Sequence, residues 1–321
     1  MRKRFAAALG AVLLAAAFPF EAPAAPPWKP GAKNRPAACG VLWRGIGLPR
    51  HISTGRSVTF VCHRRYVLLH DNVNKTPDWV IERLKRRTTL IKGVKRPSDL
   101  RFVAEQHVPP AGQARDADYR RPKANLDRGH MAPAEDFNVS LSLMKESFIL
   151  SNAVPQVGDR FNGSIWKELE SEVRRIARHH GDIYVVTGPV RRSAGGDELV
   201  ISASENSCGN RIELKGPHPR ERFICAAASG RPDVFCEKGV AVPIGLFKII
   251  YVRKTRTAYA FVMPNVDHDP GSDQTAYLDR FRVSIAALEK ATRLQFFRDL
   301  TGQHIGIGSD CAGDRPWVST P

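Results

Sequence analysis

The stretch that decides the reading is Asp127-Arg128-Gly129-His130-Met131-Ala132-Pro133. A carboxylate, a guanidinium and an imidazole fall within four residues, around a glycine that lets the backbone bend. Imidazole exchanges a proton near neutral pH, and guanidinium meets anionic oxygens in a fixed fork. Side by side they suit chemistry on a phosphate, which needs a base for water and positive charge against the phosphoryl oxygens. In so arginine-rich a chain the four residues alone also arise by chance, with His130 a structural histidine. The residues around them have to decide.

The chain has 321 residues and a formal net charge of +17. Arg2, Lys3 and Arg4 precede an apolar run over 5–20, and Ala22-Pro23-Ala24 offers small residues for a cut, so 1–24 reads as a signal peptide. The run falls short of the roughly 20 residues of a membrane span, and Pro19 and Glu21 interrupt its end. A periplasmic or secreted protein is expected. The six cysteines, Cys39, Cys62, Cys208, Cys225, Cys236 and Cys311, suit disulfides in such a compartment, with Cys39–Cys62 the expected local pair. None has the close paired spacing of a zinc site. Removing Arg2, Lys3, Arg4 and Glu21 takes off three positive charges and one negative and leaves +15. That field attracts polyanions, and by itself equally suits solubility or adhesion to an acidic surface.

Residues 25–38 are rich in Pro, Ala, Gly and Lys and read as a flexible arm. Residues 39–311 read as one domain and 312–321 as a tail. Strands are expected at 57–62, 66–70, 182–188, 247–253 and 257–263, the last two joined by a polar turn at 254–256. Residues 77–85 read as a short helix or turn, and 279–294 as an amphipathic helix through Phe281, Ile285 and Leu288. Strands and helices do not alternate regularly. An α+β fold follows, a central mixed or antiparallel sheet flanked by helices.

Another helix should begin near Asn162. At about 100° per residue, Trp166, Leu169, Val173 and Ile176 share its face, and Glu170 and Arg174 lie on the polar edge of that stripe. Read locally, Asn162 is an N-terminal cap and Glu170–Arg174 a surface pair worth roughly a few tenths of a kcal/mol.

The opening motif is followed by Ser151-Asn152-Ala153-Val154-Pro155-Gln156 and by Phe161-Asn162-Gly163-Ser164-Ile165-Trp166-Lys167-Glu168-Leu169-Glu170. Together these strongly resemble the DNA/RNA non-specific endonucleases of the ββα-metal class. The resemblance continues through Trp79-Val80, Tyr119, Thr187-Gly188-Pro189, Phe247-Lys248 and Phe281-Arg282-Val283. It implies the ββα-metal nuclease fold and an enzyme, a phosphodiester hydrolase cutting DNA and RNA with little sequence preference.

In that resemblance His130 aligns with the general base and Asn162 with the one side chain that ligates a divalent metal. Glu170 aligns with a carboxylate holding metal-bound water, and Arg128 and Arg174 with arginines that steady the phosphate. The implied metal is Mg²⁺, with Mn²⁺ as a substitute, because a water-rich oxygen shell suits it. Asp127 is expected to orient the motif loop through a backbone amide or Arg128, and Asn152 and Gln156 to buttress the site. DNA and RNA are the expected partners through their phosphate backbone, with no membrane contact after the leader is removed, and a homodimer stays open. The rival reading is a catalytically silent nucleic-acid-binding or uptake protein of the same fold, which would not require the base.

Two departures stand out. The spacing from Gln156 to Asn162 is one residue longer than the family pattern, and 194–236, with a basic run at 215–222, has no counterpart in it. His268, between Asp267 and Asp269, looks like part of a metal cluster. It follows Met263-Pro264-Asn265, which resembles a structural loop, and is left out of the site.

Overall fold

β-Branched and aromatic residues crowd the runs that pair as strands. A computed structural model describes residues 36–119, 125–191, 198–216, 223–224, 239–300 and 311. The expected signal peptide over 1–24, most of the arm over 25–38, Cys225, Cys236 and the tail over 312–321 lie outside the described residues.

The chain runs through β1 (Arg50–His51), β2 (Val58–Cys62), β3 (Tyr66–Asp71) and β4 (Thr76–Leu84) into the short helix α1 (Arg86–Thr89). The motif lies on β5 (Leu126–His130), followed by α2 (Leu141–Ser147), β6 (Ala153–Val157), a π-helical segment Gly158–Ile165 and the long helix α3 (Trp166–His180). Next come β7 (Ile183–Val190), β8 (Glu198–Ile201), β9 (Ile212–Lys215), β10 (Phe223–Ile224) and β11 (Val240–Ala241). The last elements are β12 (Gly245–Val252), β13 (Thr257–Pro264), α4 (Gln274–Asp279), β14 (Arg282–Val283), α5 (Ile285–Thr292) and β15 (Leu294–Gln295).

Seven strands form the central sheet in the order β14-β13-β12-β7-β4-β3-β2, every neighbouring pair antiparallel. Both faces are covered. On one, Val80, Leu84, Leu246, Ile250 and Phe261 pack against Trp166, Leu169, Val173 and Ile176 of α3. On the other, Trp79, Ile81, Val186, Phe247 and Ile249 pack against Ile285 and Leu288 of α5 and against Ile201 and Leu214 of the β8–β9 hairpin. The β8–β9 part of the unmatched 194–236 region therefore lies on the face away from α3, while Ile224 of β10 packs with Tyr119, Leu150 and Val240.

The expected α+β architecture is present, and two local expectations are corrected. Residues 77–85 form the central strand β4 rather than a helix or turn. Trp79 and Ile81 face one core while Val80 and Leu84 face the other, so the alternation that marks a half-buried strand is erased. Pro77 is tolerated because it opposes His70, where the β3–β4 register shifts. Residues 279–294 do not form one helix. Asp273 and Ser284 cap α4 and α5 separately, each accepting a backbone N–H, and β14 between them pairs with Ala260 and Phe261 at the sheet edge.

The motif strand pairs with β6, His130 opposite Ala153 and Gly129 opposite Val154. Gly129 has to be glycine, since a Cβ there would overlap the side chain of Gln156. Between Gln156 and α3 the chain forms the π-helical segment Gly158–Ile165. Its wider turn, closed by the bond from Trp166 N–H to Phe161 O, takes up one residue more than an α-turn. Cys39 pairs with Cys62, as expected, and Cys208 with Cys311.

The Cys39–Cys62 bridge closes a 23-residue separation. Replacing both cysteines by alanine should lower the unfolding free energy by about 3 kcal/mol through the restored freedom of that loop. Urea unfolding of the two proteins checks this, and an unchanged midpoint and slope would show that the bridge does not constrain the unfolded chain.

Candidate active site

The structure brings Asp127, Arg128, His130 and Asn162 to one cleft of about 470 Å³, walled also by Arg96, Leu100, Arg101, Phe102 and Asp116. The His130 ring is held between Phe102 and Phe148, each 4.7 Å away between centroids. The Arg96 guanidinium lies 4.6 Å over the Phe148 ring. Nε2 of His130 is sealed from solvent without a hydrogen-bond partner among the described residues, which leaves Nδ1 as the ring nitrogen open to the cleft. Burial, reinforced by the positive charge of Arg96, holds the imidazole down to about 3, so it is neutral at physiological pH.

Asp127 and Arg128 do not pair as expected. Consecutive strand residues leave on opposite sides, and each finds a partner from another segment. Asn162 donates its amide N–H to Asp127 Oδ2 at 2.9 Å. Arg128 donates to Asp116, side chain at 2.6 Å and backbone at 3.1 Å, and lies over Tyr119.

Behind the cleft, Asn152 brackets the motif. Its Oδ1 accepts from Ala132 N–H at 2.9 Å, and its Nδ2 donates to Ala132 O at 2.9 Å and Ser147 O at 3.0 Å. Ser151 donates to the buried carboxylate of Glu105, which also takes His63 and His107. Burial alone would raise Glu105, and these bonds hold it down to about 2 instead. Gln156 is fully buried against Gly129, and neither of its amide atoms has a partner among the described residues. His268 is tied to Tyr277 and Pro264, a structural arrangement.

Glu170 and Arg174 do not wall the cleft with His130. They face a group of charges between α3 and the sheet that the sequence reading missed in part: Glu82 on β4, Asp136 just after the motif, and Lys248 on β12. Arg174 donates to Asp136 Oδ1 at 3.2 Å, and Lys248 donates to Thr187 Oγ1 at 2.8 Å with its Nζ 4.9 Å from the Trp166 ring. Three carboxyls share two cations there. Burial pushes Glu170 up to about 7, against the pull of Lys248 and Arg174. Burial likewise raises Glu82 and Asp136 and lowers Lys248. Lys248 was findable as the one charge at an inward position of the Leu246-Lys248-Ile250 alternation. Arg96 and Arg101 were findable in the basic run over 85–101.

The donors fit a hard cation. Asn162 commits its N–H to Asp127, and its Oδ1 has no hydrogen-bond partner among the described residues. An amide oxygen beside a carboxylate is an all-oxygen set. Among the described residues no three His, Cys, Asp or Glu side chains gather to hold a metal. The protein thus offers few ligands and leaves the rest of a shell to water and substrate, as Mg²⁺ prefers.

Comparison with known proteins yields the following. The profile of a family described as "DNA/RNA non-specific endonuclease" matches residues 49–303. "Nuclease EXOG, mitochondrial" of Danio rerio is 30% identical over 265 residues, 81% of this chain and 65% of that protein. The Homo sapiens protein of the same name is 28% identical over 249 residues, 74% of this chain and 57% of that one. The chain thus spans less than two thirds of either relative. The solved structure "Crystal structure of the EndoG/EndoGI complex: Mechanism of EndoG inhibition" superposes with a TM-score of 0.60 at 27% identity, covering 80% of this chain and 90% of that one. The expectation of a periplasmic or secreted protein is corrected by these relatives, which are mitochondrial by name. A basic start before an acid-poor apolar run is not unique to secretion, which is why the leader misled.

The charge cluster predicts a pH-dependent cost. Glu170 has its carboxyl near 7 in the fold against an ordinary 4.5, so the unfolded chain ionises first as pH rises. Its contribution is neutral below about pH 4.5 and destabilising above 7. Glu170→Gln should therefore stabilise the metal-free protein at pH 8, by about 1–3 kcal/mol once the open edge of the side chain is discounted, and not at pH 4.5. Thermal melts with chelator at both pH values check this. A variant less stable than the parent at pH 8 would contradict the assignment.

Proposed function

The chain belongs to the DNA/RNA non-specific endonuclease family, and on that premise we propose that it is a metal-dependent endonuclease, hydrolysing phosphodiester bonds of DNA and RNA with little sequence preference. Its fold is the α+β ββα-metal nuclease fold, with β5, β6 and α3 as the ββα unit. On this reading 39–311 is a single nuclease domain. The observation that carries the proposal is one cleft with Nδ1 of His130 and the free Oδ1 of Asn162 on its walls beside Arg96, Arg101 and Arg128.

In the reaction His130 accepts the proton of a water whose oxygen attacks phosphorus. The bond from phosphorus to the 3′ oxygen breaks, and that oxygen leaves as an alkoxide that takes a proton from solvent to become the 3′ hydroxyl, giving a 5′-phosphate end. The negative substrate offsets the field of Arg96 and raises the basicity of the ring when it is needed. Arg96, Arg101 and Arg128 bind the phosphate backbone, which carries most non-specific affinity and no sequence information. Asn162 would hold Mg²⁺ through Oδ1, with Asp127 fixing the amide so that oxygen, not nitrogen, meets the ion. Glu170 would order water of its shell, and Arg174 would keep Glu170 and Asp136 in place. When bound, Mg²⁺ supplies Lewis acidity to the phosphoryl group and charge for the leaving oxygen. The silent binding protein is disfavoured because binding needs no neutral imidazole open to the cleft.

His130→Ala should lower the rate on supercoiled plasmid by roughly 10²–10⁴-fold while DNA binding persists. Near-normal cleavage by that variant would remove the base, and a parent inert with and without EDTA would favour the silent protein.

Metal titrations separate the other roles. Asn162→Ala should need more Mg²⁺ and reach a lower maximal rate, Glu170→Ala the same more mildly. Arg174→Ala should shift the metal requirement in the same direction as Glu170→Ala, because it acts through that carboxylate. An Asn162→Ala enzyme with the parent's metal dependence would show that another group ligates the ion.

A further inference from the structure

We propose that residues 85–101 form a phosphate-tracking strip that carries bound nucleic acid from the cleft along α3, so that the footprint extends several phosphates beyond the scissile bond. The proposal rests on the nuclease reading above and names which surface holds the flanking strand.

The strip has seven cations, Lys85, Arg86, Arg87, Lys92, Lys95, Arg96 and Arg101, against the single acid Asp99. Its course is set by contacts along it. Leu84 pairs with Ile183, three residues past the end of α3, so the chain enters the strip beside the C-terminal end of that helix. There α1 packs against α3. Further on, Gly93 lies against the Asn138 side chain, and Val94 N–H donates to Asn138 O at 2.7 Å. Two residues later Arg96 is on Phe148 and on the wall of the cleft. The 15 residues of α3 set the length of this path at about 20 Å, which matches about six phosphates of one strand at roughly 3.4 Å each.

The cations are available. Arg86, Arg87, Lys92 and Lys95 are exposed, and none has a carboxylate partner among the described residues. Several cations elsewhere on the surface are matched, as Arg64 is by Glu146, Arg83 by Asp182 and Arg175 by Glu168. Leu90, Ile91 and Val94 are exposed between the charges, apolar surface of the kind a sugar edge can cover. A row of unmatched like charges repels itself and costs stability unless an anion arrives, and here it ends at the proposed catalytic cleft.

The test uses the full chain with His130→Ala to prevent cutting, a fluorescein-labelled 30-base-pair duplex and a NaCl series. Arg86→Gln, Arg87→Gln, Lys92→Gln and Lys95→Gln together should weaken binding at low salt tenfold or more. They should also flatten the slope of log affinity against log salt by up to about 3.6, at 0.9 per lost contact. Lys92→Gln with Lys95→Gln alone should flatten it by about 1.8. Arg44→Gln with Arg50→Gln, two exposed cations on the face away from α3, should leave the slope as it was. With His130 restored, the quadruple variant should cut a dinucleotide, too short to reach the strip, at the parent's rate. Parental affinity and slope in the quadruple and double variants overturn the proposal, as does an equal loss per charge in the Arg44/Arg50 control. The binding readout does not depend on cleavage. A parent that binds duplex but cuts nothing, with the slope change intact, would sink the nuclease reading and leave the strip standing.

Discussion

A sheet buried on both faces can carry charge only where the charges answer one another. In this protein that place is the interface between α3 and the middle of the sheet. Glu82, Thr187 and Lys248 come from three neighbouring strands at positions that the period-two rule aims at the helix, and Glu170, Arg174 and Asp136 meet them from above. Apolar residues there would pack as well and hold more stability. What the charges add is orientation. With three carboxyls to two cations, one carboxyl in the group is held weakly enough to exchange protons near neutral pH.

The cleft depends on the same economy of partners. One hydrogen bond, from Asn162 to Asp127, ties the helix side of the site to the motif strand and fixes which end of an amide faces outward. The π-helical turn sets where Asn162 falls relative to α3, whose apolar face meets the sheet. Asn152 then holds the far end of the motif by two bonds to Ala132 and ties it to Ser147 by a third, at a point where the backbone leaves the β5–β6 ladder and has no strand partner of its own.

The two electrostatic layers differ in kind. In the cleft, burial keeps His130 uncharged, so a neutral imidazole stands among guanidinium groups on one wall. Outside, charge acts through its field over many phosphates, and specificity for sequence has no place to arise. The proposed strip over 85–101 belongs to this outer layer and the cluster under α3 to the inner one.

The sequence read as a loop the motif that forms the strand β5, while by itself it determined the fold class, the helix that follows the motif and four of the residues at the cleft. Each of these is local: a strand or helix is written in the period of its apolar residues, and Asp127, Arg128, His130 and Asn162 sit within 36 positions of one another. It misread β4, because burial on both faces removes the period, and it ran α5 back through β14 to Asp279, because Phe281 continues the apolar rhythm of that helix past its cap at Ser284. Only the tertiary structure decided that Arg128 answers Asp116, that Asp127 answers Asn162, and that Glu82 and Lys248 stand under Glu170. Those pairings join residues far apart along the chain, and which charge meets which is set by the packing of a helix on a sheet, a relation no run of neighbouring residues contains.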